Sequence, residues 1–172
     1  YRDIYRNFPF FIEKINGIEI VNQHVFLGTD RGLLIGHLRE NLKDPNNWEL
    51  VSNEYNSSID AMRRIGNSFA FILGQNIYKV IYDDDAFQYE QLEVQAPVGF
   101  SDFIIDEDDF VWGLYNKKVY SQKNNFNPII VGKILYDIAF DNLGNIIIGS
   151  ELGLIEINKD SYEKKAHIPN SP

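Results

Sequence analysis

Short runs of Ile, Val, Phe and Tyr follow one another along the whole chain, and Gly or Asn interrupts them at short intervals. A helix needs apolar residues spaced three and four apart over about ten or more positions, and the runs here are too short for that. Aromatic and β-branched side chains favour pleated, half-buried surfaces. The pattern therefore predicts β-strands throughout, with helix expected only within residues 36–46.

Four segments of the chain align as an internal repeat, at residues 15–38, 59–82, 101–122 and 136–158. A short polar residue precedes an apolar run at Asn16, Asp60, Asp102 and Asp137. A glycine ends a β-rich run at Gly28, Gly74, Gly113 and Gly149. An aromatic residue opens a final short segment at Trp48, Tyr89, Phe126 and Tyr162. These landmarks recur about every 40 residues, which is the period of β-propeller blades.

The repeat predicts an all-β fold, a β-propeller of about four four-stranded antiparallel blades in a single domain. The predicted blades are residues 12–52, 57–95, 99–131 and 134–168, and residues 1–11 are predicted to be the last strand of a preceding blade. The fourth blade already has its own fourth strand, at 162–168, so residues 1–11 have no vacancy to fill. We therefore expect part of a larger propeller rather than a closed four-bladed ring. The opening on Tyr1 likewise indicates a piece of a longer protein.

Two sets of repeated residues have predicted structural roles. Phe26, Phe71 and Ile147 lie in second strands that are apolar on both sides, so we expect them to pack between blades. The short polar residues that precede the apolar runs are expected to bond to backbone N–H groups of the adjoining loops. One such residue in each blade suits a structural device better than a binding site.

Two stretches, Val25–Leu33 (VFLGTDRGL) and Gly144–Leu154 (GNIIIGSELGL), resemble the two-component regulator propeller repeat. Its pattern is roughly Gly-Asn-apolar-Trp-apolar-Gly-Thr-x-x-Gly-Leu. In the last unit Ser150 replaces Thr and Ile147 replaces Trp, and in the third unit Trp112 comes one place later than the pattern has it. The resemblance implies a β-propeller, and a periplasmic sensor region or cell-surface protein of a Bacteroidetes-type bacterium.

Composition narrows the possible partners. The formal net charge is −9, with 16 Lys and Arg against 25 Asp and Glu. Nucleic acids and anionic lipid surfaces are bound by clustered Lys and Arg, so neither is an expected partner. No apolar run approaches the 18 or so residues of a membrane-spanning helix, so no membrane insertion by this segment is expected. The chain has no Cys, which excludes disulfides and thiolate metal sites.

Candidate catalytic and metal-binding groups have simpler explanations. The cluster 106–109 and the run 83–85 are predicted to be solvated turns, because a calcium loop spaces its ligands and includes a glycine. His24, His37 and His167 have no second ligand at metal-binding spacing. The sequence therefore predicts no catalytic residues, no metal site and no cofactor.

The turns between the second and third strands are the predicted binding surface, because the repeated strands are occupied by packing. They are expected to gather on one rim of the disc, where propellers and other rigid scaffolds carry their function in loops. The turn that departs most from the repeat holds Tyr115 and Asn116, beside the aromatic Trp112. The predicted partner-binding residues are Tyr115, Asn116, Arg31, Asp30 and Glu151. For Trp112 we favour a role in the core between blades.

Three functions remain open at this point. The first is a non-catalytic module for binding a protein, a carbohydrate or a small ligand, in a periplasmic sensor or cell-surface protein. The second is an assembly subunit of a secretion apparatus or phage particle, in which partner blades complete the propeller. The third is a propeller glycosidase or lyase, which would need carboxylates or a metal cluster converging on the axis. The sequence does not supply such a set, so we expect no enzymatic activity.

Overall fold

The computed structural model describes residues 8–52, 55–83, 86–95, 99–132 and 134–167, and in these ranges it contains four antiparallel sheets of four strands. Sheet 1 comprises β1 (Ile15–Val21), β2 (His24–Thr29), β3 (Gly32–His37) and β4 (Trp48–Leu50). Sheet 2 comprises β5 (Ile59–Ile65), β6 (Ser68–Leu73), β7 (Asn76–Asp83) and β8 (Ala86–Gln95). Sheet 3 comprises β9 (Asp102–Ile105), β10 (Val111–Tyr115), β11 (Lys118–Ser121) and β12 (Ile129–Ile130). Sheet 4 comprises β13 (Leu135–Phe140), β14 (Ile146–Ser150), β15 (Gly153–Ile157) and β16 (Lys164–His167).

Each sheet is a simple meander, because every strand pairs with the next one along the chain. This arrangement confirms the predicted all-β fold of four-stranded blades. Two short 3₁₀ turns lie wholly within the described residues, Pro45–Asn47 and Gln122–Asn124. The helical turn predicted for 36–46 is therefore only the 3₁₀ turn at its end, where Asp44 accepts a hydrogen bond from the backbone N–H of Asn46 at 3.0 Å.

The chain divides into two compact units, Tyr1–Gln95 with sheets 1 and 2 and Ala96–Pro172 with sheets 3 and 4. In the first unit, β1 packs beside β5. Asn16 Nδ2 near the start of β1 donates to the carbonyl of Ile59, which opens β5, at 2.8 Å. Near the other end, the Arg64 guanidinium donates to the carbonyl of Ile20. The two first strands therefore run side by side in the same direction.

Aromatic side chains fill the space between sheets 1 and 2. Phe26 of β2 meets Phe69 of β6, with ring centroids 4.7 Å apart, and both rings are fully buried. Phe71 lies in the same cluster. Met62 lies against Gly17 and Gly28, and a Cβ at Gly28 would be only 2.5 Å from the Met62 sulfur. Glycine is needed here because the neighbouring sheet approaches too closely for a side chain.

Trp112 is the centre of the second unit. Its ring is fully buried in a cluster with Ile138, Ile146 and Ile148 of sheet 4. Its indole Nε1–H donates to the carboxylate of Asp106 at 3.2 Å, so the polar atom has a partner. The prediction that Trp112 belongs to the core between sheets is confirmed. Ile147, in contrast, points to the other face of sheet 4 and is only half-buried.

The strand registers correct two of the glycine landmarks. The last strand pairs before the tight turns are Thr29 with Gly32, Leu73 with Asn76, Tyr115 with Lys118 and Ser150 with Gly153. Counted from these pairs, Gly28 and Gly149 are equivalent, whereas Gly113 comes one residue earlier and Gly74 lies inside the turn with φ +64°. Trp112 then occupies the same position as Phe26 and Ile147. The one-residue offset between Trp112 and the motif therefore arises because Gly113, and not Trp112, is out of step with the repeat. Gly113 must be glycine because the Phe100 ring lies too close to admit a Cβ.

The repeated short polar residues bond to backbone groups in three of the four sheets. Asp102 accepts from the N–H of Phe103 at 2.8 Å and from the N–H of Ile138 in sheet 4 at 3.3 Å. Asp137 accepts from its own neighbour Ile138 at 2.9 Å. Asn16 uses its amide as a donor instead, and Asp60 accepts from the Ser58 hydroxyl at 3.2 Å.

Both ends of the predicted strand pattern need correction. Residues 1–7 lie outside the described part of the chain, and residues 8–11 form no strand. Pro9 has no N–H to give to a ladder, and Phe8 instead meets Trp48 edge-on at 5.6 Å. The fourth strand predicted for 162–168 begins only at Lys164, because Tyr162 has φ +60° and packs its ring 5.9 Å from Trp112. Residue 168 lies outside the described residues.

Candidate functional site

In the Thr-x-x-Gly motif, the threonine hydroxyl closes the turn by hydrogen bonds. Thr29 Oγ1 donates to the carbonyl of Gly32 at 2.8 Å and accepts from the N–H of Arg31 at 3.0 Å. Gly32 has φ +127°, a conformation that disfavours any side chain. Ser150 makes the same bond to Gly153, also at 2.8 Å. The motif residues therefore close the turn by hydrogen bonds and leave the side chains of the two residues between them free for other contacts.

Within each unit, both turns between second and third strands lie at one edge. Because β1 and β5 run in the same direction, the turns after β2 and β6 lie at the same edge of the first unit. In the second unit, Asp102 at the start of β9 accepts from the N–H of Ile138 in β13, and the ends of both strands, Ile105 and Phe140, line one cleft. The two strands therefore run in the same direction, and the turns after β10 and β14 share an edge too. We call this edge of each unit the turn rim.

Asp30 and Glu151 hold equivalent places in these turns and fasten the chain that leads into the first strand. The Asp30 carboxylate accepts from the N–H groups of Glu13 and Lys14, both at 3.1 Å, and its own N–H donates to the Lys14 carbonyl at 3.1 Å. Glu151 makes the corresponding pair of bonds to Ile134, at 3.1 and 3.4 Å. These two acids therefore position neighbouring segments.

Arg31 lies in a shallow depression of about 380 Å³ that it lines together with Phe10, Phe11 and Leu50. Its side chain is 57% exposed, and its Nε lies 3.6 Å from Asp30 Oδ2. Phe11 is 74% exposed. Because Asp30 fixes residues 13 and 14, the two Phe side chains are tied to the Arg31 turn. Arginine and aromatic side chains, Phe included, are enriched at protein interfaces, and this depression brings both kinds together.

Tyr115 and Asn116 lie at the turn rim of the second unit. Tyr115 ends β10 and is half-buried, and Asn116 and Lys117 form the turn with φ +45° and +63°. Positive φ at both central residues is the type I′ turn of tight hairpins, in which Asn is favoured. Asn116 is exposed. The structure thus places the five predicted residues on turn rims, three in the second unit and two in the first.

The opposite edge of the second unit carries a cleft of about 360 Å³. Asp106 and Asp141 lie in its wall, and each accepts two backbone N–H bonds that close its own turn, at 2.8 to 3.1 Å. Lys159 pairs with Glu107 at 3.3 Å. The acidic cluster 106–109 is therefore part of a hydrogen-bonded turn, as predicted, and the charged groups of the cleft already have partners.

Hydrogen bonding also sets the protonation of Asp141. Desolvation acts to raise the pKa of its carboxyl, but the backbone N–H groups of Asn145 and Leu143 outweigh it and lower the pKa below the usual value. The carboxylate is therefore charged at neutral pH and held in the turn. This role is structural, because both oxygens accept from Asn145.

Two of the three histidines are neighbours, which their separation in the sequence does not reveal. His24 of β2 pairs in register with His37 of β3, and their ring centroids are 4.6 Å apart. His24 Nδ1 bonds to the Asn22 carbonyl at 2.9 Å, whereas His37 Nδ1 accepts from the N–H of Arg39 at 3.0 Å. Within the described residues, no group of three His, Asp or Glu is arranged to hold a metal ion. Nor does the described part contain a helix long and apolar enough to span a membrane.

Phe10 and Phe11 are the residues of this site that sequence reasoning missed. The sequence pattern predicts that residues 1–11 are the last strand of a preceding blade, and this prediction does not single out their aromatic side chains as binding groups. The available signal was Pro9 within an aromatic run, which argues against a paired strand.

Comparison with known proteins identifies the fold. No family model matches the chain, and no curated protein matches it. Among solved structures, the extracellular domain of BT4673 from B. thetaiotaomicron, assigned to a hybrid two-component system, is similar at 16% identity and TM-score 0.61. The match covers 92% of this chain and 22% of that one. The chain thus spans less than a quarter of the length of this relative.

Two other similar structures come from different contexts. PorZ, a surface component of the type-IX secretion system of Porphyromonas gingivalis, matches at 16% identity and TM-score 0.56, over 95% of this chain and 22% of that one. The WD40 propeller domain of Doa1 matches at 11% identity and TM-score 0.51, over 84% of this chain and 49% of that one. Together with the four meander sheets, these likenesses show that the chain has the fold of β-propeller blades.

Proposed function

We propose that this chain is a non-catalytic binding module of the two-component regulator propeller type, acting in the periplasm or at the cell surface. The depression at Arg31 carries the proposal, because it joins an exposed guanidinium to the exposed ring of Phe11 and the half-buried ring of Phe10, beside a turn closed by hydrogen bonds. The similarity to an extracellular sensor-system domain supports the setting. The carboxylates that could serve as acids or bases, such as Asp106 and Asp141, hold turns together through hydrogen bonds, which favours binding over catalysis.

A second candidate is a surface component of a secretion apparatus. It is favoured by the likeness to PorZ, whose TM-score of 0.56 is close to the 0.61 of the sensor-system domain. Both candidates bind a partner without catalysing a reaction, so they share the same test at the turn rim. They differ in the partner, which would be either a signalling ligand or another component of the apparatus.

The test compares capture of surface proteins from a Bacteroides extract by immobilised wild-type chain and by variants. Arg31→Ala and Asn116→Gly change the turn rims of the two units, and glycine keeps the positive φ of the turn. Arg39→Ala is the matched control, since Arg39 is an exposed arginine at the opposite edge of sheet 1. We expect a protein that is retained by wild type and by Arg39→Ala, and lost with at least one rim variant.

Two outcomes would contradict this proposal. One is a captured partner whose retention depends on Arg39, or on the outer-strand residues Trp48 and Tyr89, and not on the turn rims. The other is turnover of a glycan substrate by the isolated chain, which would show that the module is an enzyme.

A further inference from the structure

The depression at Arg31 combines one positive group with an apolar lining. Its described lining residues are Phe10, Phe11, Arg31 and Leu50. Phe10 and Leu50 are half-buried, so they form the lining, while Phe11 and Arg31 stand at the rim. A ligand that fits must therefore present a negative group to Arg31 and an apolar group to Leu50 and the Phe rings.

The Arg31 guanidinium lies beside one carboxylate, and most of its hydrogen-bond donors have no acceptor among the described residues. Its Nε faces Asp30 Oδ2 at 3.6 Å, which is an ion pair too long for a strong hydrogen bond. The other Asp30 oxygen is occupied by the N–H groups of Glu13 and Lys14. Among the described residues, no acceptor bonds to the two terminal nitrogens of Arg31. A planar guanidinium with both terminal nitrogens available matches a carboxylate in two parallel hydrogen bonds.

The size of the depression limits how the two ligand groups can be connected. Adjacent side chains of an extended peptide point to opposite faces, and side chains on one face are two residues, or about 7 Å, apart, so an internal acid and its apolar partner need a longer site. A chain-terminal residue differs, because its carboxylate and its side chain are attached to the same Cα. A volume of about 380 Å³ accommodates one such residue together with part of its predecessor.

We propose that the depression binds the carboxyl terminus of a partner polypeptide that ends in an aliphatic residue. The terminal carboxylate bonds to Arg31, and the aliphatic side chain packs on Leu50 between Phe10 and Phe11. Asp30 is a positioning residue, because it fastens the segment that carries the two Phe residues to the Arg31 turn. This inference rests on the proposed function and names the chemistry that the rim recognises.

The experiment titrates the isolated chain with three acetylated peptides and follows its amide and methyl NMR signals. The first peptide is acetyl-Gly-Gly-Leu with a free carboxylate, and the second is the same sequence as the amide. The third is the amide acetyl-Glu-Gly-Leu-Gly, in which an internal acid and the Leu side chain point to the same face. We expect the free carboxylate to shift Arg31 and Leu50 signals saturably. The two amides should bind at least about tenfold more weakly, as expected when a charge-assisted hydrogen bond is lost.

Matched variants identify the groups that bind. Arg31→Met keeps the apolar stem and removes the charge, so it should weaken binding of the free carboxylate about tenfold. Arg39→Met removes an exposed arginine at the opposite edge and should leave the affinity unchanged. Phe11→Ala should weaken binding without removing the preference for carboxylate over amide. A folded spectrum of each variant keeps the comparison valid.

Specific results would overturn the inference. Equal affinity for the free carboxylate and its amide would exclude carboxylate recognition, and tighter binding of the internal acid would exclude a chain terminus. Shifts confined to the cleft at Lys159, or an affinity unaffected by Arg31→Met, would place the site elsewhere. If these peptides fail while Arg31→Ala still abolishes capture of a surface protein, the terminal-carboxylate chemistry is wrong and the binding function stands.

Discussion

Replacement of Gly28 by alanine should destabilise the first unit, whereas the equivalent change at Gly149 should not. A Cβ at Gly28 would lie 2.5 Å from the Met62 sulfur and 2.8 Å from Cγ2 of Ile59. Ile59 is β-branched and buried, so it cannot turn away easily. A Cβ at Gly149 would meet only Asp137, at 3.9 Å, which is ordinary van der Waals contact.

The magnitude follows from this comparison. Overfilling a packed core costs about 1–3 kcal/mol. Loss of glycine's freedom in the unfolded chain stabilises both variants by about 0.4–1 kcal/mol, so this gain cancels when the two are compared. We therefore expect Gly28→Ala to lower the free energy of unfolding by about 1–3 kcal/mol relative to Gly149→Ala.

Urea unfolding followed by tryptophan fluorescence measures this difference. The chain has two Trp residues, Trp48 in the first unit and Trp112 in the second, so each unit has its own reporter. Met62→Ala in the Gly28→Ala background should remove part of the clash, and the two changes should be non-additive by about 1 kcal/mol. Equal stability of Gly28→Ala and Gly149→Ala, with unchanged dependence on urea, would refute the close approach of sheet 2 to Gly28.

Three further results are expected. Trp112→Ala should destabilise the second unit by about 3–5 kcal/mol, because it empties the core against Ile146 and Ile148; a smaller effect than about 1 kcal/mol in urea unfolding would contradict its full burial. Thr29→Val, which keeps the shape and removes the hydroxyl, should cost about 1–3 kcal/mol by leaving the buried turn without its bond to Gly32, and Thr29→Ser should recover part of this loss. The pKa of Asp141 is lowered in the folded state, so its contribution to stability is present above the ordinary Asp pKa and is lost as the pH falls through the folded value. Asp141→Asn should flatten this acid dependence in urea unfolding measured across pH 2 to 6, and an unchanged slope would show that the turn bonds do not favour the carboxylate.

The fold class could be derived from the sequence because it depends on local periodicity. Short β-branched and aromatic runs ended by Gly or Asn define strands and tight turns, and their repetition about every 40 residues defines four equivalent sheets. The Thr-x-x-Gly and Asp turns could also be identified, because their hydrogen bonds join residues within a few positions of each other, as at Thr29 and Asp106. The placement of Trp112 in the core follows from the same local logic.

The register of each strand could not be derived, because it depends on contacts with another sheet. Gly113 looked like the counterpart of Gly28, but the neighbouring ring of Phe100 explains that glycine, and the tight turn explains Gly74. Likewise, His24 and His37 became neighbours only through the pairing of β2 with β3.

One part of the candidate site could be predicted from local sequence, and the other part depends on tertiary contacts. Arg31 and Asp30 could be placed in a turn between strands from the sequence, because Thr29 and Gly32 specify that turn locally. The approach of Phe10 and Phe11 to Arg31 is a tertiary contact, made through the hydrogen bonds of Asp30 to residues 13 and 14. Those bonds close a loop of 16 residues or more between the partners, and no local propensity encodes such a contact. It forms because the folded sheets hold the two segments side by side, which satisfies two backbone N–H groups that would otherwise need water.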